Sequence, residues 1–163
     1  GWVVEAGSTM TGNDNTDAQP EVLCCIGDLA TGNGAADITQ IEFITTAFDK
    51  SDGGNIDVRV RFNEQVTVDT SGGTPTLTIT NDTPSRNLTA TYLSGSTTNE
   101  LIFRKTIAAA NAATNAGDVL SIGANPLALA SGTIKDTADG STNATITSVE
   151  AIGTAAGTIT VAA

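Results

Sequence analysis

Asp49, Asp52, Asn55 and Asp57 fall within one short run, DKSDGGNID. Hard cations such as Ca2+ take about six to eight oxygen ligands from carboxylates and carbonyls, and this run offers side-chain oxygens at that density. It lacks the glutamate that closes an EF-hand loop, so that motif fails. A second run, KDTADGSTN, repeats the pattern with Asp136, Asp139 and Asn143. Asp and Asn beside Gly are also ordinary turn residues. Both runs therefore read as turns, with calcium at Asp49, Asp52, Asn55 and Asp57 the one cofactor the sequence leaves open.

The rest of the reactive inventory is thin. The chain has no histidine, which excludes a Ser-His-Asp triad and a Cys-His pair. Glu64 and Asp69 are near enough in sequence to suggest paired carboxylates, but Glu64 sits beside a turn-like Asn63-Glu64-Gln65 and reads as a strand-end residue. No phosphate-binding glycine loop occurs. The two cysteines are adjacent, Cys24-Cys25. A disulfide between neighbours would close a strained ring, and zinc needs about four ligands. Two buried thiols in the apolar run VLCCIG are expected. Nothing points to an enzyme.

Composition narrows the partners. The net charge is −11 over 163 residues. Without a basic patch, binding to nucleic-acid phosphates is not expected. No window approaches the ~18 apolar residues of a membrane span. The start, Gly1-Trp2-Val3-Val4, has no charged segment leading into an apolar one. The expectation is a protein made in the cytoplasm, with no membrane partner.

The elements that must position these residues are strands. Ile56, Val58, Val60 and Phe62 alternate with Asp57, Arg59, Arg61 and Asn63, and Val66 and Val68 resume the pattern. Period-two alternation assigns each set to one face of a pleated strand. Further runs follow at regular intervals: Ile38–Phe48, Leu77–Ile79, Leu88–Leu93, Glu100–Ile107, Val119–Ile122, Leu127–Leu129 and Thr133–Lys135. Turn signals separate them, the spacing of a sandwich. Aromatics make up only 4% of the chain, so aliphatic residues must fill the core. Ala108–Asn115 reads as a helical turn, because Ala is the best helix former. The C-terminal ATITSVEAIG and GTITVAA read as two β-prone runs. Arg59, Arg61 and Lys105 read as charges that blunt open sheet edges. Residues 1–36 differ from the rest and read as an N-terminal arm with one or two short strands. Its apolar residues, Trp2, Val3, Val4, Val22, Leu23, Cys24 and Cys25, have to pack on something and are the candidate interaction residues.

RVRFNEQVTVD, GTPTLTI, ATYLSGSTTNELIFRKTI and AGDVLSIGANPLALASGTIKDTADGSTN, in that order, resemble a bacterial immunoglobulin-like repeat. That repeat occurs in large adhesins and in cyanobacterial swimming-associated surface proteins. It reads V-x-F-S-E-x-V-x-V, G-x-P-T-L-x-L, Y-x-S-G-S-G-T-x-x-L-x-F and G-x-I-x-D-x-A-G-N. The likeness runs from about Ile38 to Thr147, and the closing DTADGSTN follows it loosely. The resemblance implies an all-β, immunoglobulin-like β-sandwich with an N-terminal arm. The expected division is arm 1–36, sandwich 37–150 and C-terminal extension 151–163.

A single copy on a chain without an evident export signal resembles a bacteriophage virion protein. The implied function is structural: a capsid decoration protein on the virion surface, stapling capsid or other virion proteins, copies of itself included, through its arm and edge strands. The alternative implied by the repeat is an extracellular adhesion module of a cell surface or filament, with calcium as a stabiliser. A carbohydrate-binding module ranks third, since a sugar platform exposes aromatics and few are present.

Overall fold

Thr, Val and Ile favour the pleated backbone, and Gly, Asn and Asp favour the turns between strands. The computed structural model describes residues 2–4, 21–24, 34–138 and 140–163. They belong to two compact units, Gly1–Gly34 and Ala35–Ala163. In the first, β1 (Trp2–Val4) pairs antiparallel with β2 (Glu21–Cys24). The polar segment between those strands, Cys25, the residues up to 33, and Asp139 lie outside the described residues.

The second unit is all-β. Its strands are β3 (Ile38–Phe43), β4 (Phe48–Asp49), β5 (Gly54–Asp69), β6 (Thr76–Asn81), β7 (Leu88–Ser94), β8 (Thr98–Ile107), β9 (Val119–Ser121), β10 (Leu127–Ala128), β11 (Thr133–Asp136) and β12 (Ile159–Ala162). One short helix, α1 (Glu150–Thr154), precedes the last strand. The pairing order is β11-β5-β8-β7-β6-β9-β12-β4, with β3 also on β5 and β10 also on β6. β6 bridges two layers: Thr76–Ile79 pairs with β7, and Thr80–Asn81 pairs with β9. The chain also changes partner between β3, antiparallel to β5, and β4, parallel to β12. The sheet therefore curls into two layers around one core.

β5 carries the centre of that core. Ile56, Val58 and Val60 are fully buried, Phe62 nearly so, while Asp57, Arg59 and Arg61 are half-buried on the other face. Phe103 of β8 sits opposite Val58 and meets the Tyr92 ring edge-on, with centroids 6.0 Å apart. Burying each large aliphatic or Phe side chain contributes roughly 1.5–3 kcal/mol.

Five sequence expectations need correction. The turn expected at Asn63–Gln65 is a bulge inside β5, where the register with β8 shifts between Arg61 and Val66. Pairing on both sides of Val66, to Thr98 and to Asp136, carries the strand through it. Arg59 and Arg61 do not blunt an edge, because β5 is an interior strand, while Lys105 lies on β8 beyond its pairing with β7. The expected helical turn at Ala108–Asn115 is a series of turns; Asn111 Oδ1 accepts the Ala113 N–H at 2.8 Å and competes with helix formation. ATITSVEAIG holds α1 where a strand was expected. Residues 151–163 are part of the sandwich: β12 pairs with β9 and β4, and Ile159 and Val161 are buried.

The hairpin Ser94–Thr98 shows what its turn requires. Gly95 has φ +108°, and a Cβ there would collide with the Glu100 carbonyl. Thr97 holds φ +66°, a left-handed conformation uncommon for a β-branched residue. Tyr92 Oη accepts the Ser96 N–H at 2.8 Å, and Ser96 Oγ accepts the Val68 N–H at 2.9 Å, so the hairpin is tied to both neighbouring strands.

Candidate functional site

The acidic loop joins β4 to β5, and its four candidate ligands part company there. Asp49 Oδ1 accepts the side-chain O–H of Ser51 at 2.6 Å and its backbone N–H at 2.7 Å. These two bonds hold the Asp49 carboxyl below the usual carboxylate range. Gly53 makes the turn at φ +67°, where a Cβ would stand 2.5 Å from the Ala109 nitrogen. Asn55 Oδ1 accepts from Thr106 Oγ1 at 2.7 Å. Asp49, Asp52 and Asn55 border one shallow cavity of about 410 Å³ with Phe48 and Thr160. Asp57 is not on it. Strand alternation places its carboxylate beside Arg104, which donates from Nε and from a terminal nitrogen at 2.7 Å each. Among the described residues no group of three or more His, Cys, Asp or Glu is arranged to hold a metal ion.

Of the other acidic candidates, Asp69 and Asp136 are also committed locally, while Glu64 Oε1 is buried without a hydrogen-bond partner. Asp69 Oδ1 accepts the Ser71 N–H at 2.8 Å, which holds its carboxyl low. Glu64 lies on the β5 bulge and forms no hydrogen bond with Asp69. Asp136 is buried, and its Oδ1 accepts the Ala138 N–H at 2.6 Å. Asn143 bridges to Lys135 of β11, and Asp139 lies outside the described residues.

The interaction residues of the first unit are brought together by strand pairing. Trp2 stands opposite Cys24, Val3 opposite Val22 and Val4 opposite Glu21, with a register irregularity between Trp2 and Val3. Trp2, Val3, Val4, Val22, Leu23 and Cys24 therefore share one two-stranded ribbon. Cys25 lies outside the described residues.

Two polar constructions escape the sequence reading. The first is an ion-pair lattice on the outer face of β3, β5 and β8. Register sets Glu42 beside Arg59, Gln40 beside Arg61, Arg61 beside Glu100 and Asp57 beside Arg104. Arg59 pairs with Glu42 and reaches Glu100 at 3.3 Å; Arg61 Nε lies 2.8 Å from Glu100. Hydrogen bonding to Glu42 raises the Arg59 pKa further above its ordinary value. These groups are partly exposed, so each pair contributes at most about 1 kcal/mol.

The second is Asp118, which is only 5% exposed. Its Oδ2 accepts from Asn81 Nδ2 at 2.7 Å and from the Asn115 N–H at 2.8 Å, and its Oδ1 accepts from Thr83 Oγ1 at 2.8 Å. Burial pushes the Asp118 carboxyl up. The bonds from Asn81, Asn115 and Thr83, with the nearby Arg86 guanidinium, outweigh that and hold it below the usual range. The group knits the 81–87 turn to the loop before β9. Its donors come from three chain positions, so no local motif announces it.

Compared with known proteins, the chain matches no family model, no curated protein and no solved structure.

Proposed function

We propose that the protein is a structural binding module, an immunoglobulin-like sandwich that fastens to other subunits through its N-terminal segment, in the manner of a bacteriophage capsid decoration protein. The observation that carries this reading is the division of the chain. The sandwich Ala35–Ala163 supplies its own core and pairs its own strands. Gly1–Gly34 forms a separate unit whose described part is two short strands bearing Trp2-Val3-Val4 and Val22-Leu23-Cys24. An isolated two-stranded sheet is marginal in water and needs a surface to pack on. A neighbouring subunit supplies that surface in this account.

The strand order supports the immunoglobulin-like part of the reading. β3-β5-β8-β7 follows the A-B-E-D order of such sandwiches, and β6-β9-β12 follows C-F-G. β10 and β11 then form an insertion before the last strand. A fold of this kind hosts many roles, so the assignment rests on the N-terminal unit. The test is purification of intact virions. The account expects the protein on the particle surface at a copy number fixed by capsid geometry. Its absence from particles, with the protein found instead on the cell surface, would favour the adhesion module.

A further inference from the structure

The cations of this acidic chain are unevenly used. Of seven Lys and Arg, Arg59, Arg61 and Arg104 are paired with carboxylates. Among the described residues Lys50, Arg86, Lys105 and Lys135 form no such pair, and Arg86 and Lys105 border the same cavity of about 490 Å³. Its remaining lining comes from Ser85, Asn87, Leu88, Thr89 and two alanines of the loop after β8. No Asp or Glu lines it, in a chain that carries 18.

Strand topology makes the cavity. β7 pairs with β6 over Leu88–Thr91 and with β8 only from Thr91 onward. The start of β7 therefore separates from the end of β8, and a gap opens there. Lys105 falls in that gap. By strand alternation it shares the inward side of β8 with the buried Leu101, Phe103 and Ile107. Its methylene stem can cover the apolar end of the core while the ammonium reaches the opening. Arg86 faces it from a turn closed by the Arg86 N–H to the Thr83 carbonyl at 3.3 Å. One terminal nitrogen of Arg86 donates to the Ala112 carbonyl, which fixes the guanidinium and leaves the rest of its fork without an acceptor among the described residues. The charge of Asp118 acts on Arg86 as well, and Lys105 forms no ion pair with a carboxylate among the described residues. Asn87 accepts the Asn81 N–H at 3.1 Å through Oδ1 and keeps its amide N–H groups as donors.

We propose that this cavity binds a tetrahedral oxyanion, a phosphate or sulfate group. An Arg fork, a Lys point charge, an amide and two hydroxyls form a donor-rich set suited to that charge and shape. A cleft lined by one sign of charge concentrates ions of the other. The cavity has room for a sugar-sized group esterified to the anion. This inference does not rest on the proposed role of the N-terminal unit.

The test is a backbone-amide NMR titration of the full chain at low ionic strength with inorganic phosphate, inorganic sulfate and glucose 6-phosphate. Glucose and sodium chloride serve as controls. Saturable shifts confined to Ser85–Thr89, Lys105 and Ala112–Ala113 are expected from the oxyanions and not from the controls. Tighter binding of the ester than of phosphate identifies a phosphosugar ligand; equal binding identifies the free anion. Lys105→Gln should weaken binding about fivefold, the loss of one exposed charge contact, without lowering the melting temperature. Arg86→Gln also removes the bond to Ala112, so it is judged only on the folded fraction. Absence of saturable shifts, shifts shared with chloride, or unchanged affinity in Lys105→Gln would overturn the proposal.

Discussion

The sandwich and the N-terminal ribbon are built from similar residues but differ in what they can complete. In the sandwich, ten hydrogen-bonded strands enclose Phe62, Phe103 and a set of aliphatic side chains with almost no exposure. In the ribbon, among the described residues, strands of three and four residues pair with each other. Hydrophobic stabilisation grows with area removed from water, and a pair of short strands cannot enclose any. The first region therefore explains its own stability, and the second is where the proposed role places the partner. Fold and function fall in different parts of the chain on this account.

The largest effect that sharpens the contrast is in the core. Phe103→Ala should cost the sandwich about 3–5 kcal/mol, the transfer and cavity terms together, read from chemical denaturation. A loss below about 1 kcal/mol would mean that the two layers do not close on this residue. Next comes the buried carboxylate. Asp118→Ala leaves donors from Asn81, Thr83 and the Asn115 backbone without their acceptor and should cost about 2–3 kcal/mol. The same group sets a pH dependence. Its folded pKa lies below the ordinary 3.8, so its stabilisation is present above that value and is lost as pH falls through the depressed one. Acid unfolding of Asp118→Asn should be shallower below about pH 4 than that of the native chain. A smaller effect belongs to the exposed lattice. Arg59→Ala should cost less than about 1 kcal/mol, with most of the electrostatic part gone at high salt.

These magnitudes do not follow how visible each feature is in the sequence. The Ile56–Phe62 alternation is legible because its two faces meet different surroundings, and the same alternation places Asp57 with Arg59 and Arg61, away from the acidic loop. Asp118 is illegible because Gly117-Asp118 resembles any turn, while two of its partners stand 35 and 37 positions away. The bulge at Asn63–Gln65 reads as a turn because polarity alone does not reveal that neighbours on both sides continue the ladder. The helix at Glu150–Thr154 is a single turn, too short for a periodic signal. Arg59 and Arg61 read as edge charges because their strand's neighbours, set by long-range pairing, are unknown from local sequence. The candidate interaction residues are legible as an apolar arm, and the pairing of Val3 with Val22 adds that they form one ribbon.

The most direct measurement of the proposed role is co-sedimentation with phage capsids assembled from a major shell protein, comparing the full chain with a form lacking residues 1–34. The account predicts saturable binding of the full chain, loss of binding in the shortened form, and a melting temperature for its sandwich within a few degrees of the full chain's. Equal binding of the two forms would contradict it.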